Sequence, residues 1–159
     1  MRITLLLVGK TTDRQLDTMI ADYTGRVGHY ASFETKVLPE LRNARNLTAD
    51  QQKQAEGEMI LRAIEGGGSR QEVILLDERG QELRSVEFAR WMEKKQSASR
   101  DLVFVIGGPF GFSQEVYDRA DGLLSLSRMT FSHQMIRLLF AEQLYRAMTI
   151  LRGEKYHHE

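Results

Sequence analysis

Leu102-Val103-Phe104-Val105-Ile106-Gly107-Gly108-Pro109-Phe110-Gly111 is the stretch on which the fold turns. Five consecutive apolar residues, rich in β-branched side chains, suit a strand buried on both faces, as the strands of parallel sheets are. The glycine turn that follows stands where open α/β sheets bind ligands, outside the carboxyl ends of their strands. Glycine there lets the chain turn sharply and lets a ligand approach backbone N–H groups with no Cβ in the way. A plain strand-to-helix turn accounts for these glycines equally well. It is not a Walker A loop, because no Gly-Lys-Ser/Thr follows, and the spaced glycines of the dinucleotide fingerprint are missing near the first strand.

Outward from this stretch, strand and helix patterns alternate. The apolar run within residues 1–10 reads as the first strand; Leu16, Met19, Ile20, Tyr23 and Val27 recur at helical spacing; 33–38 is strand-like; and Met59, Ile60 and Ile64 lie on a helix over 55–64. Residues 73–76 predict a buried strand ending at Asp77, where a ligand contact and a solvated turn are both open. Ser85, Ser113 and Ser132 are placed to N-cap the next three helices, the last ending near Gly153, with a short strand over 123–126 between the second and third. Residues 39–50, polar and poor in apolar side chains, are the expected mobile loop. The order βαβαβαβαβα predicts an α/β fold with a mostly parallel sheet and helices on both faces, in one domain over residues 1–159.

Composition limits the function. The 159 residues carry 22 basic and 22 acidic side chains, so formal net charge is zero and any nucleic acid must be held by a local basic patch. Arg26, Arg42, Arg45, Arg128, Arg137, Arg152 and Lys155 are the candidates. There is no cysteine, which excludes disulfides and thiolate metal sites and suits a cytoplasmic protein. The histidines lack zinc-ligand spacing, so no metal site is expected. The apolar N-terminal run is too short to span a membrane, and no Gly-x-Ser-x-Gly elbow marks a serine hydrolase.

The last helix is apolar nearly all round, which predicts a core contact on one face and a subunit contact on the other. Within it Glu142 and Arg146 have the i,i+4 order of an ion pair, which Arg137 could join unless it faces a ligand. His133, at the start of that helix, is either a packing residue or a functional one. The ending Gly153-Glu154-Lys155-Tyr156-His157-His158-Glu159 is by default a frayed tail, yet an aromatic ring, two imidazoles and carboxylates can also stack on a base and move a proton.

Four strings taken together resemble a known family: Val105-Ile106-Gly107-Gly108-Pro109-Phe110-Gly111; Leu124-Ser125-Leu126-Ser127-Arg128-Met129-Thr130-Phe131-Ser132-His133-Gln134-Met135-Ile136-Arg137; Glu142-Gln143-Leu144-Tyr145-Arg146-Ala147; and Gly153-Glu154-Lys155-Tyr156-His157. With the 3–10 strand and Leu75-Leu76-Asp77, the chain resembles the RlmH-type ribosomal RNA large-subunit methyltransferases of the SPOUT class over essentially its whole length. The resemblance implies a C-terminal trefoil knot, a homodimer, S-adenosylmethionine as methyl donor, and methylation at N3 of a pseudouridine in a hairpin loop of 23S rRNA on the assembled ribosome. By position it implies cofactor contacts at Leu76, Gly108, Ser127, Arg128, Met129, Thr130, Phe131 and Ser132. Many relatives have proline where this chain has Ser132. His157 with Tyr156, supported by His133 and Arg146, are the catalytic candidates, because an imide must lose its proton before it attacks. A non-catalytic ribosome-binding factor on the same fold, and a flavodoxin-like nucleotide-binding enzyme, are the alternatives to be separated by ligand binding.

Overall fold

The computed structural model describes residues 1–158. Its strands are β1 (Arg2–Val8), β2 (Ser32–Leu38), β3 (Gln71–Glu82), β4 (Asp101–Ile106) and β5 (Gly122–Ser125). Its helices are α1 (Arg14–Val27), α2 (Ala49–Ile64), α3 (Ser85–Ser97), α4 (Gln114–Arg119) and α5 (Met135–Leu151). The five strands form one sheet in the order β2-β1-β4-β3-β5, and every pairing is parallel. The expected alternation and parallel sheet are therefore both present.

The unbroken apolar run of β4 is explained by two cores. Leu102, Phe104 and Ile106 pack with Ile3, Leu5 and Leu7 of β1 against α1, α3 and α5, where Phe104 and Phe140 bring their ring centroids to 4.7 Å. Val103 and Val105 pack with Leu6 and Val8 against α2 and α4. Side chains of a strand alternate faces, so only a continuous apolar sequence can satisfy both layers at once.

Some boundaries differ from the reading of the sequence. β3 does not stop at Asp77 but runs to Glu82, with an irregularity that leaves both Leu76 and Gln81 opposite Leu124 of β5. Residues 39–50 hold a 3-10 turn at Ala44–Asn46 and the first two residues of α2, whose N-terminus is closed by a Thr48/Gln51 capping box. Ser85 is the first residue of α3 rather than its cap; its hydroxyl donates to Gln143 Oε1 at 2.8 Å, and the Arg84 N–H is met by Glu87 at 2.7 Å. Ser113 caps α4 as expected. Ser132 lies two residues before the N-cap position of α5, yet its Oγ accepts the Met135 N–H at 3.0 Å and its carbonyl accepts that of Ile136 at 3.1 Å. Serine thus serves that start, by hydrogen bonds, where a proline would serve by fixed φ.

Arg137 neither joins the Glu142–Arg146 pair nor faces a ligand. It is fully buried, and its guanidinium donates to the carbonyls of Val8, Gly9 and His133 and to Thr11 Oγ1, at 2.8 to 3.1 Å. This fastens the start of α5 to the carboxyl end of β1. Gln134 adds a second tie, accepting from the Thr12 N–H at 2.9 Å and donating to the Lys10 carbonyl at 3.1 Å.

Candidate functional site

A cleft of about 920 Å³ opens at the carboxyl ends of β3, β4 and β5. Its apolar walls include Leu76, Ile106, Leu126 and Phe131, and its floor is the turn from Gly107 to Ser113. The segment after β5 closes one side and is braced internally: Ser125 Oγ donates to the Ser127 carbonyl at 2.8 Å, and Ser127 Oγ accepts the Met129 N–H at 3.0 Å. Two bonds hold this segment to the extension of β3, Thr130 Oγ1 to Glu78 at 2.8 Å and Arg128 Nε to Glu82 at 2.8 Å. The strand continuation past Asp77 therefore serves as the frame of the loop.

Asp77 is no solvated turn residue. Its partly buried carboxylate accepts from the Tyr117 hydroxyl and from the backbone and guanidinium of Arg79, whose Cζ lies 4.7 Å from the Tyr117 ring centroid. Burial opposes its ionisation, but the Tyr117 and Arg79 hydrogen bonds prevail and hold its pKa below the ordinary value. Burial, followed by Asp77, pushes the Tyr117 phenol up. His133 also lines the cleft, and burial together with the charge of Arg137 pulls its pKa down against a smaller opposing effect of Glu40. It is accordingly neutral at pH 7 and has a free-base form available.

The tail is docked rather than frayed. Tyr156 packs edge-on against Tyr145 with centroids 4.7 Å apart, its hydroxyl donates to Glu142 at 3.0 Å, and Arg146 lies over its ring at 4.8 Å. Glu142 and Arg146 form the expected ion pair at 2.5 Å. Upstream in the tail, Tyr30 donates to Glu154 at 2.7 Å, a bond that pushes the phenol up to about 12. Arg146 Nη1 lies 3.1 Å from His157 Nδ1. A guanidinium can only donate, so Nδ1 accepts and the neutral ring carries its proton on Nε2. That Nε2 is buried and has no partner among the described residues.

Tyr156, His157 and Arg146 do not line the cleft. Beside the cleft is a second cavity, about 550 Å³, between α1, α3 and α5; Glu142 lies on its rim, and Met19, Tyr23, Leu83, Leu138 and Leu139 form its largely apolar walls. Leu124, Ser125, Leu126 and Phe131 line both cavities and so form the partition between them.

Residues 1–157 match a protein family described as predicted SPOUT methyltransferase. The chain belongs to the SPOUT methyltransferase family. Among relatives, it is 57% identical over 160 residues to the ribosomal RNA large subunit methyltransferase H of Bacteroides fragilis, with all of both chains covered. It is 48% identical to the protein of the same name from Christiangramia forsetii, covering 99% of each. A solved structure of a probable methylase family protein from Haemophilus influenzae superposes with a TM-score of 0.53 over 99% of this chain and 70% of that one, at 15% identity, a likeness of fold. The trefoil knot expected from the resemblance follows from this membership.

In this SPOUT methyltransferase, six of the eight expected cofactor residues, Leu76, Gly108, Ser127, Met129, Thr130 and Phe131, meet at the cleft. Arg128 points away, its side chain 89% exposed beside Glu82, and Ser132 is engaged at the start of α5. The four catalytic candidates divide, His133 in the cleft and the other three in the tail cluster. Reading the sequence missed Asp77 with Tyr117, and Glu56 beneath Gly108. An aspartate at a strand end was visible, but nothing local announced its tyrosine partner forty residues on.

Proposed function

We propose that this chain is a homodimeric ribosomal RNA large-subunit methyltransferase of the cytoplasm. Its substrate is a pseudouridine in a hairpin loop of 23S rRNA, methylated at N3 from S-adenosylmethionine on the assembled ribosome. The observation that carries the reading is the cleft: in a SPOUT methyltransferase, the glycine turn and the segment after β5 face each other across a cavity of about 920 Å³, room for a nucleoside-sized donor and an entering base. The name borne by its full-length relatives supports the ribosomal RNA substrate.

The donor fits the residues present. Leu76, Ile106, Leu126 and Phe131 supply apolar walls for a purine, and Gly108, which also lines the cleft, packs so closely on Glu56 that it has no room for a Cβ. When bound, S-adenosylmethionine supplies an activated methyl group with its own sulfonium leaving group, so the chain's task is alignment. Thr130, held by Glu78, keeps the loop in place.

The imide N3 must become an anion. His133 is the group in the same chain's cleft whose lowered pKa leaves a lone pair free at neutral pH. The tail cluster reaches the cleft of the partner copy, docked along the apolar second cavity. There docking uncovers the Nε2 proton of His157, whose Nδ1 Arg146 engages, for the developing anion, while Tyr156, its pKa raised by burial and by Tyr23 and Glu142, stays neutral and anchors the cluster through its bond to Glu142. The test is transfer of a labelled methyl group to assembled ribosomes and to an isolated hairpin. The ribosome is the expected acceptor, and efficient labelling of the hairpin alone would refute the ribosome requirement. Near-normal turnover of His157→Ala at saturating substrate would remove His157 from the chemistry.

A further inference from the structure

Midway along β3 the chain leaves its ladder and returns to it. Leu76 and Gln81 both stand opposite Leu124 of β5, so Asp77 to Gly80 take no partner in the register of either neighbouring strand and are carried out at the carboxyl end of the sheet. Asp77, Glu78 and Arg79 accordingly all line the cleft, beside Leu76. Glu78 is engaged by Thr130. Asp77 accepts from the Arg79 N–H at 2.8 Å, from Arg79 Nε at 3.3 Å and from the Tyr117 hydroxyl. What remains open to a ligand is the far edge of Arg79.

The guanidinium is fixed from two directions, at Nε by Asp77 and at its face by the Tyr117 ring, whose centroid lies 4.7 Å from Cζ. Phe112 in turn packs edge-on against Tyr117, with centroids 5.8 Å apart. The Arg79 side chain is nevertheless 67% exposed, against 9% for that of Asp77, and its two Nη groups donate to nothing among the described residues. A guanidinium held in this way presents its Nη edge as a preset fork for two oxygens of one anion. The apolar walls and the glycine turn account for the adenosine part of the donor and leave its carboxylate without a partner. Lys53 of α2 is the other cation lining the cleft, but no hydrogen bond or ion pair among the described residues restrains it, and an ammonium has no fork. We infer that Arg79 binds the carboxylate at the amino-acid end of the donor, with Asp77 and Tyr117 as the residues that position it. The inference rests on the adenosine-donor reading of the cleft and names the group that recognises the donor's other end.

Calorimetry with S-adenosylhomocysteine and its decarboxylated form tests it, since the two ligands differ only in the carboxylate. The wild-type protein should prefer the first by about tenfold or more. Arg79→Ala should bring the two within about threefold by weakening S-adenosylhomocysteine alone, and Arg79→Lys, which keeps the charge and loses the fork, should retain an intermediate preference. An Arg79 that merely shapes the wall would, when removed, weaken both ligands in parallel and leave the ratio unchanged, which overturns the assignment. An unchanged ratio joined to weaker and less salt-dependent binding of ribosomes would give the fork to an RNA phosphate, and overturns it as well. A second measurement needs no variant to fold: the guanidinium nitrogens of Arg79, isotopically labelled in the wild-type protein, should shift on addition of S-adenosylhomocysteine and not of its decarboxylated form, and equal shifts overturn it. Equal affinity of the wild-type protein for both ligands would leave the donor reading standing and remove the role of Arg79. Binding of neither would sink the donor reading itself, and the inference with it.

Discussion

Arg137 brings a full charge into the interior and meets four oxygens there, three of them main-chain carbonyls. Arg137→Leu would leave those acceptors unpaired and should lower the unfolding free energy by about 3 kcal/mol, read from urea denaturation. Arg137→Lys should recover only part of the loss, because an ammonium cannot fork between Val8 and Gly9. His133 makes a prediction about pH. Its folded pKa lies below the ordinary value of 6.5, so between the two the unfolded chain binds more protons than the folded one. Stability must therefore rise with pH through that window and fall as pH drops below about 6.5. His133→Asn should flatten this acid-side slope relative to wild type; an unchanged slope contradicts the assignment. Arg128→Ala should leave stability within about 0.5 kcal/mol, as an exposed ion pair is all it loses. Residue types and positions were legible in the sequence, but partners were not: Arg137 could be placed on the last helix, while three of its four acceptors lie 126 to 129 residues away in the chain.

At the scale of elements, the segment that frames the site is the extension of β3. Gly80 lies so close to β5 that an added Cβ would meet the Leu123 carbonyl carbon and the Leu124 nitrogen at 2.7 Å. Main chain cannot swing aside as a side chain does, so Gly80→Ala should cost about 2 kcal/mol or more and disorder the bonds from Glu78 and Glu82 to the 127–132 loop. A thermal melt with amide exchange of Thr130 would show both effects. The sequence hid this extension because Asp77-Glu78-Arg79-Gly80 has the composition of a turn, and the irregular pairing there breaks the period-2 pattern by which strands are recognised. The start of α2 was hidden for another reason: its first turns are polar, with no apolar stripe, though the Thr48/Gln51 capping box was there to be read. β1, β4 and the glycine turn were legible throughout, since burial on both faces leaves one kind of sequence.

The whole molecule is incomplete as a single chain on the reading proposed here. Its cleft lies on one side of the partition formed by Leu124, Leu126 and Phe131, and the Tyr156–His157 cluster lies beside the cavity on the other. Leu138 and Leu139 line that second cavity together with Met19, which is half exposed. Leu139→Asp should convert a dimer to a monomer in sedimentation equilibrium and abolish transfer while leaving the fold intact. A heterodimer of one His157→Ala chain and one Gly108→Leu chain should regain activity that neither homodimer has, because one intact cleft would again face one intact tail. The most direct test of methylation itself is mass spectrometry of 23S rRNA from cells lacking this gene and from the same cells with the gene restored. N3-methylated pseudouridine should be absent from the hairpin loop in the first and present in the second; an equal amount in both would contradict the account.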